Sequence, residues 1–210
     1  MSVSICIPTY NRTSLLLEAL ESCFNQTLKP LEIIIGDDST NYETENIINE
    51  IRYKISGINI RYFHNEPSLG QAKNVNMLFN QVLGSKVVLL HDDDLLLPQA
   101  LEEMCNVFEK EPRAKVVFGK QYIINESGKI DYLASLSLNN DYYRSPSYEG
   151  FVLKPIESGF VQQFPNDGYM LDSSILNYAN YRCSSHTIGA LGNGCDYDFG
   201  LQLGVHGFAM

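Results

Sequence analysis

The sequence predicts an α/β fold, with a mostly parallel central sheet covered by helices on both faces. Three observations lead there. Between Ser2 and Pro98, short β-prone apolar runs alternate four times with stretches of helical periodicity. The runs are apolar at nearly every position, as suits strands buried on both faces. A polar cluster closes each run, and in a parallel sheet with short right-handed crossovers such clusters share one edge, where open α/β sheets bind ligands.

The first strand is Ser2 to Pro8, followed by Thr9-Tyr10-Asn11-Arg12. Thr13 or Ser14 is positioned to cap a helix with Leu16, Leu17, Ala19, Leu20 and Cys23 on one face, and Lys29-Pro30 stops it. Leu31 to Gly36 forms the second strand, closed by Asp37-Asp38-Ser39-Thr40, and a helix with Ile47, Ile48 and Ile51 inward runs from Tyr42 to Tyr53. Ile58 to Phe63 is the third strand, ending near His64-Asn65. Gly70 opens a helix with Ala72, Val75, Leu78, Phe79 and Val82 on one side. After the fourth strand come a helix from Pro98 to Lys110, a strand from Ala114 to Ile124 and a hairpin turn into Ile130 to Leu133. Residues 135–185 have weak periodicity and suggest short helices, loops and one strand from Tyr169 to Ile175, just after Gly168. Asp196 and Asp198 lie near the start of a last helix, where negative charge is favoured.

The fourth strand carries the strongest chemical signal. Val87-Val88-Leu89-Leu90 runs into His91-Asp92-Asp93-Asp94, then Leu95-Leu96-Leu97-Pro98. Three successive carboxylates repel one another unless something positive sits among them. At the carboxyl edge of a sheet that something is a divalent cation, and oxygen ligands suit Mg²⁺ or Mn²⁺. A metal held by so few protein groups keeps open positions for phosphate oxygens. The reading set against this one is a solvated acidic turn.

Composition bounds the alternatives. At 210 residues and 44% hydrophobic, the chain supports one substantial core and one domain. A formal charge of −10 argues against non-specific binding to nucleic acid or anionic lipid. Five scattered cysteines (Cys6, Cys23, Cys105, Cys183, Cys195) fit reduced thiols in a cytoplasmic protein better than a disulfide framework or a zinc site. There is no basic-then-apolar leader and no run of 18 apolar residues. Neither G-x-G-x-x-G nor G-x-x-x-x-G-K-[ST] occurs, which disfavours a dinucleotide dehydrogenase and a P-loop ATPase. A phospho-accepting signalling domain would place its acidic pair after the first strand, whereas Asp37-Asp38 follows the second. The apolar ending Val205 to Met210 reads as a stop ahead of a natural end.

With these landmarks placed, the chain resembles the family 2 glycosyltransferases, which have the nucleotide-diphospho-sugar transferase fold called GT-A, a Rossmann-like sandwich. The resemblance lies in Val3 to Arg12, Gln26-Thr27, Glu32 to Ser39, Asn65, Gly70 to Asn74 and Leu90 to Pro98, with a shorter match at Cys195 to Phe199. It implies a nucleotide-sugar-binding half at residues 1–125 and an acceptor-side half at 126–210. Pro8, Thr9 and Tyr10 correspond to the loop around the nucleotide, and Asp38 to the carboxylate that accepts a hydrogen bond from a uracil-like ring. Arg12, Lys73 and Asn74 fall in the donor-binding set, with Lys73 where the family often has arginine. The bland reading of Asp38 is a buried cap on a sheet turn.

Counting back from Pro98 sets His91 where the family's first aspartate stands. The metal-holding carboxylate is then Asp93, with Asp94 as second choice and Asp92 directed to the ribose and diphosphate. Asp196 matches the general base of inverting members, Cys195 replacing the glutamate that commonly precedes it, and Asp198 is the fallback. The implied activity is transfer of a sugar, from a UDP-sugar by preference, to a carbohydrate or glycolipid hydroxyl, with Mn²⁺ or Mg²⁺ on the diphosphate. Tyr142, Tyr143 and Tyr148 offer rings to an acceptor sugar or pack on the surface. Peripheral association with the cytoplasmic face of a membrane, through a segment not present here, is compatible. A non-catalytic sugar-nucleotide-binding module, with the donor site kept and the base lost, is the alternative.

Overall fold

The computed structural model describes residues 1–210 apart from 53–54, 56, 149–153 and 183–193. The expected helix end at Tyr53 and the thiol of Cys183 lie outside the described residues. Continuous apolar runs make the centre of the sheet. β1 (Val3–Thr9) pairs in parallel with β2 (Glu32–Asp37) on one side and β4 (Lys86–Leu89) on the other, and β2 pairs with β3 (Asn59–His64). Ile5 lies between Ile33 and Val88 in register, and all three are wholly buried. Each such side chain contributes about 1.5–3 kcal/mol of burial. β8 (Met170–Asp172) enters antiparallel between β4 and β5 (Val116–Val117), and the order is β3-β2-β1-β4-β8-β5.

Helices cover both faces, as expected. Leu16 and Leu20 of α1 (Thr13–Phe24), Ile48 of α2 (Glu43–Ile51) and Leu101 of α4 (Ala100–Lys110) share one core with Ile5, Ile33 and Val88. Val75 and Leu78 of α3 (Gln71–Phe79), with Phe199 and Leu203 of α7 (Gly194–Val205), share the other with Cys6, Ile34 and Leu89. Among the described residues no helix is long and apolar enough to cross a membrane.

Four elements differ from expectation. Arg12, not Thr13 or Ser14, is the N-cap of α1, and the Thr13 hydroxyl instead meets that of Thr44 at 2.9 Å. The strand expected over Ala114 to Ile124 is two strands in two sheets. After β5 the Gln121 and Ile123 amides donate to Asn139 and Ser135 side chains, and the chain leaves the main sheet for β6 (Ile123–Ile124). Its hairpin partner β7 (Ile130–Asp131) stops early because the Asp131 side chain accepts from the Ala134 amide at 3.0 Å, starting α5 (Tyr132–Asp141). Likewise Asp172 accepts from the Ser174 amide and turns the end of β8 into a 3-10 turn, Ser173–Asn177.

Candidate functional site

The carboxyl ends of β1, β2 and β4 meet at one edge, and hydrogen bonds between their loops fix them there. Thr9 Oγ1 donates to Asp92 Oδ2 at 2.7 Å, both residues being buried. The Asp38 amide donates to the Thr9 carbonyl at 3.0 Å, and the Asn11 amide to Ser39 Oγ at 2.8 Å. A cavity of about 350 Å³ opens over this junction, lined by Pro8, Thr9, Tyr10, Arg12, Asp38, Gly70, Asn74 and Asp92 with Ser68, Gln71 and His91. That volume suits a small-molecule site.

Asp38 organises the opposite wall. Its carboxylate accepts from Asn65 Nδ2 (2.8 Å), the Leu69 amide (3.1 Å) and the Gly70 amide (2.7 Å). Three donors satisfy most of its lone pairs, so Asp38 holds the loop ahead of α3 and keeps capacity for one more donor from the cavity. Asn74 donates to the Gly36 carbonyl at 2.8 Å and accepts from Asn65, and this ties α3 to β2. Gln26 plays the same part behind the acidic loop. It donates to the Leu97 carbonyl at 2.8 Å and accepts from the Leu101 amide at 3.1 Å, pinning the segment after the carboxylates to the end of α1.

The acidic stretch is a tight turn in which the Asp94 amide donates to the His91 carbonyl at 3.3 Å. The turn brings one ligand atom each from His91, Asp93 and Asp94 within 4.8 Å of one another. Arg12 is the local cation. Its Nη1 bonds Asp93 Oδ2 at 2.7 Å, and its Nη2 lies 2.6 Å from Asp92 Oδ1 as an ion pair whose angle does not make a hydrogen bond. Burial raises the Asp92 carboxyl against the lowering effects of Thr9 and Arg12. Asp94 is also raised, by desolvation of its carboxyl and then by the charges of Asp167 and Asp93, although the residue's surface is largely open. His91 Nε2 is buried and has no hydrogen-bond partner. Two carboxylates and an imidazole within that span fit a divalent cation as a donor set.

A second cavity of about 370 Å³ shares His91 with the first. Asp93, Asp94 and Asp167 line it together with Tyr122, Ile123, Leu138, Tyr142 and Arg144. Asp167, buried just ahead of β8, accepts the His91 amide at 2.8 Å. Arg144 is buried too, held by the Gln163 carbonyl (2.8 Å) and Gln121 Oε1 (2.7 Å). Burial lowers its guanidinium to about 10, so it stays cationic at neutral pH.

Asp196 stands in the first turn of α7 and is 4% exposed. Burial raises its carboxyl, against the lowering influences of His91 and a hydrogen bond with Tyr181, and its Oδ1 has no partner. Asp198 is occupied differently. Its carboxylate forms an ion pair with Arg182 and accepts from Gln202 Nε2 at 2.9 Å. Of the two, Asp196 has the spare acceptor oxygen.

The structure therefore brings Pro8, Thr9, Tyr10, Arg12, Asp38, Asn74 and Asp92 to one cavity and sets Asp93 and Asp94 in the adjoining one. Lys73, expected to line the same cleft, does not. It points from the exposed side of α3 and lines neither cavity, because the helical turn that aims Ala72 and Asn74 inward aims residue 73 out. Tyr142 lines the second cavity, whereas Tyr143 and Tyr148 are exposed. The sequence reading missed Asp167 and Arg144. An aspartate directly before the turn glycine Gly168, at the mouth of a predicted strand, was the available signal for the first, and nothing local marked the second.

Comparison with known proteins adds an independent line. The model of the family described as glycosyl transferase family 2 matches residues 4–165. A Campylobacter jejuni protein, GalNAc(5)-diNAcBac-PP-undecaprenol beta-1,3-glucosyltransferase, is 36% identical over 103 residues, covering 49% of this chain and 33% of that protein. Residues 1–349 of S. aureus TarS superpose with a TM-score of 0.72 at 19% identity, over 100% of this chain and 56% of that one, and the same fragment has been solved with UDP-GlcNAc. The mannosyltransferase PcManGT of Pyrobaculum calidifontis, in complex with GDP-Man and Mn²⁺, superposes at 0.66 and 15% identity, over 99% of this chain and 53% of that one. The chain spans less than half the length of the curated relatives it matches.

Proposed function

The chain belongs to glycosyl transferase family 2 and has the GT-A fold, and from that premise we propose that it moves a sugar from a nucleotide diphosphate donor, a UDP-sugar by preference, to an acceptor hydroxyl with inversion at the anomeric carbon. The observation that carries the reading is the cavity where Pro8, Thr9, Tyr10 and Asp38 meet Asp92 from a third strand end, with the acidic turn adjoining it. TarS crystallised with UDP-GlcNAc on the same fold supports the choice of donor.

Each residue has a task in this reading. Pro8, Thr9 and Tyr10 seat the nucleotide, and Asp38 receives a ring N–H with its remaining acceptor capacity. Asn74 holds the floor beneath it. Asp92, buried and bonded to Thr9, faces the ribose and diphosphate, while Arg12 is the cation nearest the phosphates. Asp93 and Asp94 would hold Mn²⁺ or Mg²⁺, and the ion, when bound, supplies positive charge against the charge that a leaving diphosphate gains. Lys73 contributes long-range positive charge only.

Asp196 takes the acceptor proton. Burial raises its basicity, the direction that suits a general base, and its unpartnered oxygen is the acceptor such a base needs. Residues 1–125 hold the donor, and residues 126–210 supply the base and one share of the lining of the second cavity, where the acceptor enters beside Tyr142 and Arg144. The undecaprenol-linked substrate in the name of the Campylobacter relative supports a glycolipid acceptor, and polysaccharide or glycolipid assembly at a cytoplasmic membrane face is the setting this reading proposes.

The test uses Asp196→Asn against UDP-sugars. Donor affinity by calorimetry should stay near wild type, while transfer falls by roughly 10²- to 10⁴-fold, the usual loss on removing acid-base assistance. A wild-type protein that binds UDP-sugar and transfers to no hydroxyl would return the chain to the non-catalytic binding reading. Full turnover in Asp196→Asn would remove the base assignment.

A further inference from the structure

We propose that Arg144 selects the acceptor: the sugar entering the second cavity carries an acidic group, a phosphate or a carboxylate, and the guanidinium binds it. The inference rests on the transferase reading above and deepens it by naming the acceptor's chemical class. A charge taken out of water is normally paired with an opposite one. Arg144 is 7% exposed, yet both hydrogen bonds that hold its side chain go to neutral groups, Nε to the Gln163 carbonyl and Nη1 to Gln121 Oε1. Among the described residues it forms no ion pair, and Nη2 has no hydrogen-bond partner. Two of the carboxylates on the same lining are engaged elsewhere, Asp93 by Arg12 and Asp167 by the His91 amide.

The surroundings fix this cation in place. Asn139 clamps Gln121, donating to its carbonyl at 2.7 Å and accepting from its amide at 3.0 Å. Gln163 Nε2 donates to the Tyr143 carbonyl at 2.6 Å. Tyr143 and Gln162, directly before Arg144 and Gln163, have φ of 55° and 54°. Residues with side chains keep such left-handed backbone only where the structure around them over-determines it, as it does around ligands. The guanidinium also lies over the Tyr142 ring, 5.2 Å from the centroid, and both residues line the cavity. A held guanidinium with an unused nitrogen on a cavity lining is a site for an oxyanion.

Transfer kinetics on the full chain with UDP-sugars and Mn²⁺ test this. Each acceptor pyranoside is offered neutral, with a carboxylate in place of its hydroxymethyl group, and phosphorylated at that group. Wild-type protein should favour an acidic form in kcat/KM by about tenfold or more, the scale of a charge-assisted hydrogen bond, with the difference carried by KM. Arg144→Gln should collapse that ratio toward one and Arg144→Lys should keep part of it, a pattern that a purely structural arginine would not produce. The larger of the two acidic ratios tells phosphate from carboxylate. Equal kcat/KM for acidic and neutral forms would overturn the proposal and leave the transferase reading standing. A ratio unchanged in a folded Arg144→Gln would assign the acid to another group and overturn it as well. Transfer to none of the acceptors, with UDP still bound, would overturn both readings. The wild-type ratio decides even if neither variant folds.

Discussion

At the scale of single residues, the donor cleft depends on how Asp92 is kept charged in a buried place. Burial drives its carboxyl toward the neutral form, and Thr9 and Arg12 pull it back. Thr9 is the partner that a substitution can remove without changing shape. Thr9→Val leaves Asp92 Oδ2 unmet inside the protein, and an unsatisfied buried acceptor costs about 1–3 kcal/mol. Urea denaturation should show that loss, and UDP affinity should fall with it because the carboxylate is no longer held. Stability and affinity both at wild-type level would mean that Arg12 alone fixes Asp92. Asp196 is a parallel case, in which burial raises the carboxyl while His91 and a hydrogen bond with Tyr181 oppose it.

At the scale of elements, what was legible and what was not follow from the range of the forces involved. The strand-and-helix alternations up to Pro98 were readable because β1, β2 and β4 are buried along almost their whole length and their apolar runs mark them locally, while β3, at the sheet edge and part-exposed, was marked by its β-prone residues. The Asp92-to-Asp94 motif was readable for the same reason. Beyond Ala114 the determinants are side-chain caps from afar, such as Asn139 on the Gln121 amide, and periodicity does not record them. The α6–α7 seam is another example. α6 (Pro155–Phe160) packs on α7 so closely that a Cβ at Gly204 would lie 2.7 Å from the Pro155 carbonyl oxygen and 3.1 Å from Ile156 Cα. Gly204→Ala gains roughly 1 kcal/mol of helix propensity, yet the clash is with backbone atoms that cannot rotate away. Overpacking of this kind costs about 1–3 kcal/mol, so the variant should be less stable. Because α7 carries Asp196, transfer should drop while UDP binding holds. Loss of UDP binding instead would show that the seam supports the first cavity and not the base.

At the scale of the whole molecule, the buried thiols make folding sensitive to alkali. Cys6 and Cys23 are wholly buried on opposite faces of the sheet, one in each core. Burial first, and the nearby charge of Glu32 next, push the Cys6 thiol far up, while burial pushes Cys23 up to about 12 against a small lowering by Ser22. In the unfolded chain both ionise near their ordinary value of 9.0. The folded state therefore keeps protons that the unfolded state releases, and the stability this represents is intact below pH 9 and is lost as pH rises from 9 toward 12. Each thiol contributes on the order of 1 kcal/mol per pH unit across that window. Denaturation midpoints should hold from pH 8 to about 9 and fall from there to 10.5, and a flat profile would mean that these thiols reach solvent in the native state. Mass-spectrometric labelling gives the independent check. A thiol reagent at pH 8 should leave Cys6 and Cys23 unmodified in the native protein and modify both in urea, since a protonated thiol inside a packed core offers neither the thiolate nor the access that alkylation requires.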